Sequence, residues 1–90
     1  LNVRESTIEN YLVDRVKALG GEVRKVQWLG RRGAPDRLVM LAPDGCIWVE
    51  LKAPGEKAKP HQKREHDRMR RMGQRVEVVD SIERVDEVLA

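Results

Sequence analysis

The stretch from Asp36 to Ala53 constrains this chain most. Two apolar runs, Asp36 to Ala42 and Cys46 to Ala53, flank Pro43-Asp44-Gly45, and an aspartate–glycine pair between such runs is a strong hairpin signal. The second run contains Ile47, Trp48, Val49 and Leu51, a composition normally buried on both faces. It nevertheless carries Glu50 and Lys52. Side chains alternate faces along a strand, so these two charges share one face while Leu51 enters the opposite layer. Charges in such a setting need a chemical reason.

The flanking segments supply the rest of a small α/β unit. Ser6-Thr7-Ile8-Glu9 has the form of a capping box ahead of Ile8, Tyr11, Leu12, Val16 and Leu19, which predicts a helix ending at Gly20-Gly21. Glu22 to Trp28 reads as a strand. Leu29 to Pro35, with Gly30, Arg31, Arg32 and Gly33, reads as an exposed basic loop. Ala53 to Lys59 has the character of a linker. Pro60 opens a helix that runs to Met72 and stops at Gly73, with Met69 and Met72 as its strong apolar residues. Arg75 to Val79 is a short strand, and Asp80-Ser81-Ile82-Glu83 opens a last helix with Ile82, Val85, Val88 and Leu89 facing inward. The order α-β-β-β-α-β-α predicts a small mixed sheet flanked by helices.

Ninety residues suit one domain, taken as 1–90. The longest uninterrupted apolar stretches, Leu38 to Ala42 and Cys46 to Val49, are far shorter than the roughly 20 residues of a membrane-spanning helix. No membrane partner is expected. The N-terminus lacks a secretory pattern and an initiator methionine, and Cys46 is the only cysteine, which fits a reducing cytoplasm. The net charge is only +3, but residues 1–53 carry nine basic and seven acidic groups, residues 54–75 eight and three, and residues 76–90 one and five. A basic middle beside an acidic tail points to a surface that faces a polyanion.

Counted across the turn, Asp36 falls roughly opposite Lys52 and diagonal to Glu50, so two carboxylates and a lysine converge at one end of the hairpin. Carboxylates held together repel, and a hard divalent cation such as Mg²⁺ or Mn²⁺ relieves this while keeping waters and room for a phosphate. The lysine can orient a metal-bound water or stabilise charge on the phosphate. That is hydrolytic phosphodiester chemistry in outline. Spacing alone also fits a plainer account, with Asp36 capping a turn and Glu50–Lys52 forming a surface ion pair.

These residues resemble the PD-(D/E)XK nuclease superfamily, whose core is an α-β-β-β-α-β unit. The wider pattern is similar to its VRR-NUC branch: Glu9 in the first helix, Gly33-Ala34-Pro35-Asp36 after a basic loop, Trp48-Val49-Glu50-Leu51-Lys52, then Pro60-His61-Gln62 opening a helix that ends near Gly73. The likeness covers nearly the whole chain, whose length is similar to the stand-alone phage and bacterial members. It implies a restriction-endonuclease-like fold with a C-terminal helix. It implies too that Asp36, Glu50 and the Leu51 carbonyl ligate Mg²⁺ or Mn²⁺, with Glu9 reaching the metal through water. Lys52 would be the catalytic lysine, and Gln62 would touch the phosphate region or hold Lys52. Stand-alone members are implied to be homodimers cutting branched DNA, four-way junctions in particular, in a bacterial or phage-infected cell.

Several of these residues have plainer readings. Glu9 completes the capping box whether or not it serves a metal. His61 and His66 read as solvated or phosphate-facing, with no partner ligand at metal-binding spacing. Arg31, Arg32 and Arg37 flank the carboxylates, and Lys57, Lys59, Lys63 and Arg64 follow them, so phosphate contact by this group predicts salt-sensitive binding. Tyr11, Trp28 and Trp48 are the only aromatics. They suggest no stacking platform, which favours duplex or junction backbone over single strands. Trp48 is expected in the core, and Trp28 in the core or at a contact. The leading expectation is a metal-dependent, structure-selective endonuclease. A non-catalytic nucleic-acid-binding module and a restriction-like nuclease on the same fold are the alternatives.

Overall fold

The computed structural model describes residues 3–43 and 45–90. Its elements are α1 (Glu5–Ala18), β1 (Glu22–Lys25), β2 (Arg37–Leu41), β3 (Gly45–Leu51), α2 (Pro60–Arg71), β4 (Val76–Val79) and α3 (Ile82–Leu89), in the predicted order. The strands form one sheet in the order β1-β2-β3-β4, with β4 parallel to β3 and the other pairs antiparallel. The expected turn at Pro43-Asp44-Gly45 includes Asp44, which lies outside the described residues.

The two faces of the sheet have different chemistry. One packs Val39, Ile47, Val49, Leu51 and Val79 against Ile8, Leu12 and Val16 of α1 and Val85 and Val88 of α3, all at most 3% exposed. Period-2 and period-3.6 apolar spacings bring these side chains together. The other face carries Trp48 and Glu50, and α2 covers it. The helix therefore turns a polar stripe inward, Glu65 and His66, and of its strong apolar residues Met72 is left 76% exposed. A helix over a charged sheet face must bury groups that can hydrogen-bond to it.

Three local expectations need correction. The capping box does not form, because Arg4 occupies the N-cap position and the Glu9 carboxylate instead accepts from Arg37 Nε at 2.8 Å. An ion-paired hydrogen bond is stronger than a neutral one. The first strand stops at Lys25 rather than Trp28, whose indole donates to Glu65 on α2. The hairpin closes earlier than counted, with Leu41 paired to Gly45. Gly45, with φ +89, a conformation open to a residue without Cβ, closes the ladder opposite Leu41.

At the sheet edge, the outward carbonyls of β4 are occupied by arginines. Arg70 donates to Val76 O at 2.8 and 3.2 Å, and Arg84 Nε donates to Val78 O at 3.4 Å. Ser81 caps α3 by accepting from Arg84 N–H at 3.0 Å.

Candidate active site

Alternation along β3 sends Leu51 into the core and Glu50 to the opposite face, and both are only 2% exposed. The earlier closure of the hairpin sets Arg37 against Val49, so Asp36 does not sit across from Lys52. It leaves the regular ladder: its N–H donates to Val49 O at 3.0 Å while its C=O accepts from Val26 N–H at 3.0 Å. Its side-chain Oδ2 then accepts from Leu51 N–H at 2.7 Å, which holds the Asp36 carboxylate beside Glu50. Lys52 is 9% exposed, with Nζ 3.6 Å from Glu50 Oε2. The expected convergence of Asp36, Glu50 and Lys52 is present, reached by a different register.

Gln62 joins them from the first turn of α2. Its Oε1 accepts from Lys59 N–H at 2.9 Å, the reciprocal half of a capping box. Its amide nitrogen must then face the other way, and it donates to Glu50 Oε2 at 3.0 Å. One turn later His66, 1% exposed, has Nε2 3.9 Å from Glu50 Oε1, too far for a hydrogen bond. Both of those atoms are buried without a partner.

Burial pushes the Glu50 carboxyl up to about 7; the Asp36 charge adds to this and Lys52 opposes it. Burial, reinforced by Arg70, lowers the pKa of His66, so its neutral form is favoured beside Glu50. The expectation of a solvated or phosphate-facing His66 is therefore overturned. It was within reach of sequence reasoning, since a residue four positions after Gln62 lies on the same helical face. Glu65 was missed as well: it accepts from Trp28 Nε1 at 2.8 Å and pairs with Arg31 at 3.0 Å and Arg68 at 3.2 Å.

Other predicted residues are dispersed. Arg37 shares the face of Val39, where Glu9 engages it and leaves its side chain 15% exposed, away from the Glu50 face. Arg31 and Arg32 lie on the exposed loop, which approaches α2 so closely that a Cβ on Gly33 would stand 2.9 Å from Glu65 Cβ. Lys57, Lys59, Lys63 and Arg64 are exposed. None of these four forms a salt bridge among the described residues. The pKa of His61 is lowered by burial and then by Arg32 and Lys59. Trp48 is not in the core: it is half-buried on the Glu50 face, and its indole donates to Gln74 Oε1 at 2.9 Å.

Among the described residues no three His, Cys, Asp or Glu side chains gather as a metal cluster. The carboxylate pair nonetheless fits a hard cation. Glu50 Oε1 is a buried acceptor without a donor, and two carboxylates supplemented by main-chain and water oxygens suit Mg²⁺ or Mn²⁺, which retain part of their hydration. A cavity of about 480 Å³ lies between Gly20, Gly21 and Glu22 and the hairpin residues Met40, Leu41, Pro43 and Cys46, away from these groups.

An α-β-β-β-α-β sheet with an aspartate before the second strand and Glu50-Leu51-Lys52 closing the third defines the PD-(D/E)XK class of nuclease folds. Within it, the chain belongs to the VRR-NUC family. It is 44% identical to a solved structure described as a VRR_NUC domain, with a TM-score of 0.88 over 94% of this chain and 92% of that one. It is also 51% identical over 79 residues to the "Putative nuclease p44" of Acyrthosiphon pisum secondary endosymbiont phage 1, covering 88% of this chain and 85% of that protein. No family model matches the chain. No helix among the described residues is long and apolar enough to cross a membrane.

Proposed function

We propose that the chain is a metal-dependent endonuclease that hydrolyses DNA phosphodiester bonds at branched structures such as four-way junctions, acting as a homodimer in the cytoplasm of a bacterial or phage-infected cell. The observation that carries this reading is the buried Glu50 carboxylate, held against Asp36 with Oε1 unpartnered and Lys52 Nζ 3.6 Å from Oε2. A protein that only bound DNA would gain nothing from burying Glu50 and Lys52 together beside the half-buried Asp36.

Asp36, Glu50 and the Leu51 carbonyl would hold Mg²⁺ or Mn²⁺, while Glu9, ion-paired with Arg37 at 2.8 Å on the other face, is left out of the ligand set. When bound, the ion supplies Lewis-acid polarisation of a phosphate oxygen and a more acidic water. Lys52 gives a positive charge at the place where negative charge grows on the scissile phosphate. Gln62 is a positioning residue: its amide, oriented by Lys59 N–H, fixes Glu50 Oε2 and leaves Oε1 for the cation. Arg31, Arg32, Lys57, Lys59, Lys63 and Arg64 would neutralise backbone phosphates. A four-way junction is two-fold symmetric, and a homodimer would present two such sites to opposing strands.

The test is cleavage of end-labelled four-way junctions, flaps, linear duplex and single strands with Mg²⁺ or Mn²⁺, beside Lys52→Ala. Symmetric junction cutting that the substitution abolishes is expected. Tight, salt-sensitive binding with no cutting of any substrate would sink the enzymatic reading in favour of a binding module.

A further inference from the structure

Beside the carboxylates, on the same side of the sheet, lies a cavity of about 320 Å³ that the nuclease chemistry does not use. Both tryptophans of the chain line it, Trp28 and Trp48, with ring centroids 5.7 Å apart and planes inclined at 58°. Each indole N–H is already bonded inside the protein, to Glu65 Oε2 and Gln74 Oε1 respectively. What the pair offers to a ligand is therefore π-surface. Met69 and the 76% exposed Met72 complete an apolar wall, and thioethers pack well against aromatic rings.

The rim is polar and cationic. Arg31 and Arg68 flank the buried Glu65 carboxylate, their side chains about half exposed, so two positive charges meet one negative. Gln74 spends its carbonyl oxygen on Trp48 and keeps its amide N–H groups for an acceptor. The volume falls within the range of small-molecule sites, roughly 300–1,000 Å³. Flat aromatic walls, an amide donor and an arginine rim complement a planar heterocycle attached to a phosphate.

We infer that this cavity receives one unpaired nucleobase of the DNA, stacked on the Trp28–Trp48 pair, with the neighbouring phosphate against Arg31 and Arg68. The assignment of DNA rests on the proposed nuclease function. A base inside a paired duplex hides its faces in the stack, so the pocket discriminates in favour of DNA with an unpaired nucleotide. Trp48 lies two residues before Glu50, about 7 Å along the strand, so a base held there brings the adjoining backbone to the carboxylates. This gives selection for DNA with an unpaired nucleotide, such as a flap or a bulge, a physical origin within one subunit.

Because Trp28 and Trp48 are the only tryptophans, intrinsic fluorescence reports on this pocket directly. The full chain is titrated in EDTA with a duplex carrying one unpaired thymine and with the same duplex fully paired. Strong quenching by the first and little by the second is expected. Stacking strengths measured per base correspond to a loss of roughly 5- to 150-fold in affinity. Trp28→Leu should show that loss for the bulged duplex alone, with folding checked by circular dichroism, and Met72→Ser at an exposed position should shift it in the same direction. Equal quenching by both duplexes, or binding without quenching, overturns the inference. So does a concentration-dependent fluorescence change without DNA that accompanies sedimentation as a dimer, which would assign the pocket to a second copy of the chain. Metal-dependent cleavage without base-selective quenching defeats the pocket alone; base-selective quenching without cleavage supports the pocket and defeats the nuclease.

Discussion

Glu50→Gln is expected to stabilise the metal-free protein at about pH 8 and to lose that advantage at about pH 4.5. The Glu50 carboxyl is raised from the ordinary 4.5 to about 7 in the fold, chiefly by burial. At 1.36 kcal/mol per unit, ionising it in place costs about 3 kcal/mol. Below 4.5 the group is protonated in both folded and unfolded chains and contributes nothing. Between 4.5 and 7 the folded chain retains a proton that the unfolded chain releases, so stability falls as pH rises, and above 7 the loss is complete. Glutamine stays neutral throughout but brings an amide that must find partners, at a cost of roughly 1 kcal/mol. The net gain near pH 8 is about 2 kcal/mol, a rise in Tm of roughly 8–16 °C for a domain of this size.

Thermal melts followed by circular dichroism in EDTA at the two pH values read this directly. Adding Mg²⁺ at the higher pH should raise the Tm of the wild type, since a ligand of the folded state stabilises it, and leave Glu50→Gln unchanged. A variant no more stable than the wild type at about pH 8 would refute the argument, because the buried carboxylate would then carry no electrostatic penalty for a cation to relieve.

Two further outcomes follow from the geometry around this site. Gly33→Ala would require a Cβ 2.9 Å from Glu65 Cβ and 3.0 Å from His61 O at a backbone φ of +96; urea titration should show a loss of roughly 1–3 kcal/mol, and a loss below a few tenths would show that the loop does not rest on α2. Lys59→Ala and Lys63→Ala remove exposed charges outside any ion pair among the described residues; each should weaken DNA binding and lower the log–log salt slope by about 1. An unchanged slope would take that lysine out of the interface.

The alternation of β3 was legible because it needs no long-range information: an apolar run interrupted by Glu50 and Lys52 puts both charges on one face whatever the hairpin register. The register itself depended on a single loop residue, and a glycine able to enter the ladder shifted Asp36 from facing Lys52 to bonding Leu51 N–H. His66 was legible in principle from Gln62 one turn earlier. Arg37 was not. Its commitment to Glu9 joins residues 28 positions apart and depends on where α1 crosses the sheet, which no local pattern encodes. The two tryptophans failed for the same reason: nothing near Trp28 or Trp48 announces that the loop after β1 and the end of α2 enclose them together.

The arginines on β4 have a consequence for assembly. An exposed parallel strand offers its outward carbonyls to any passing chain, and here Arg70 and Arg84 fill those positions with guanidinium groups from the protein's own helices. A neighbour extending the sheet on that side would first have to displace these guanidinium groups from the carbonyls they occupy. Part of the cationic charge that looks available for phosphate is in this way committed to the protein's own backbone.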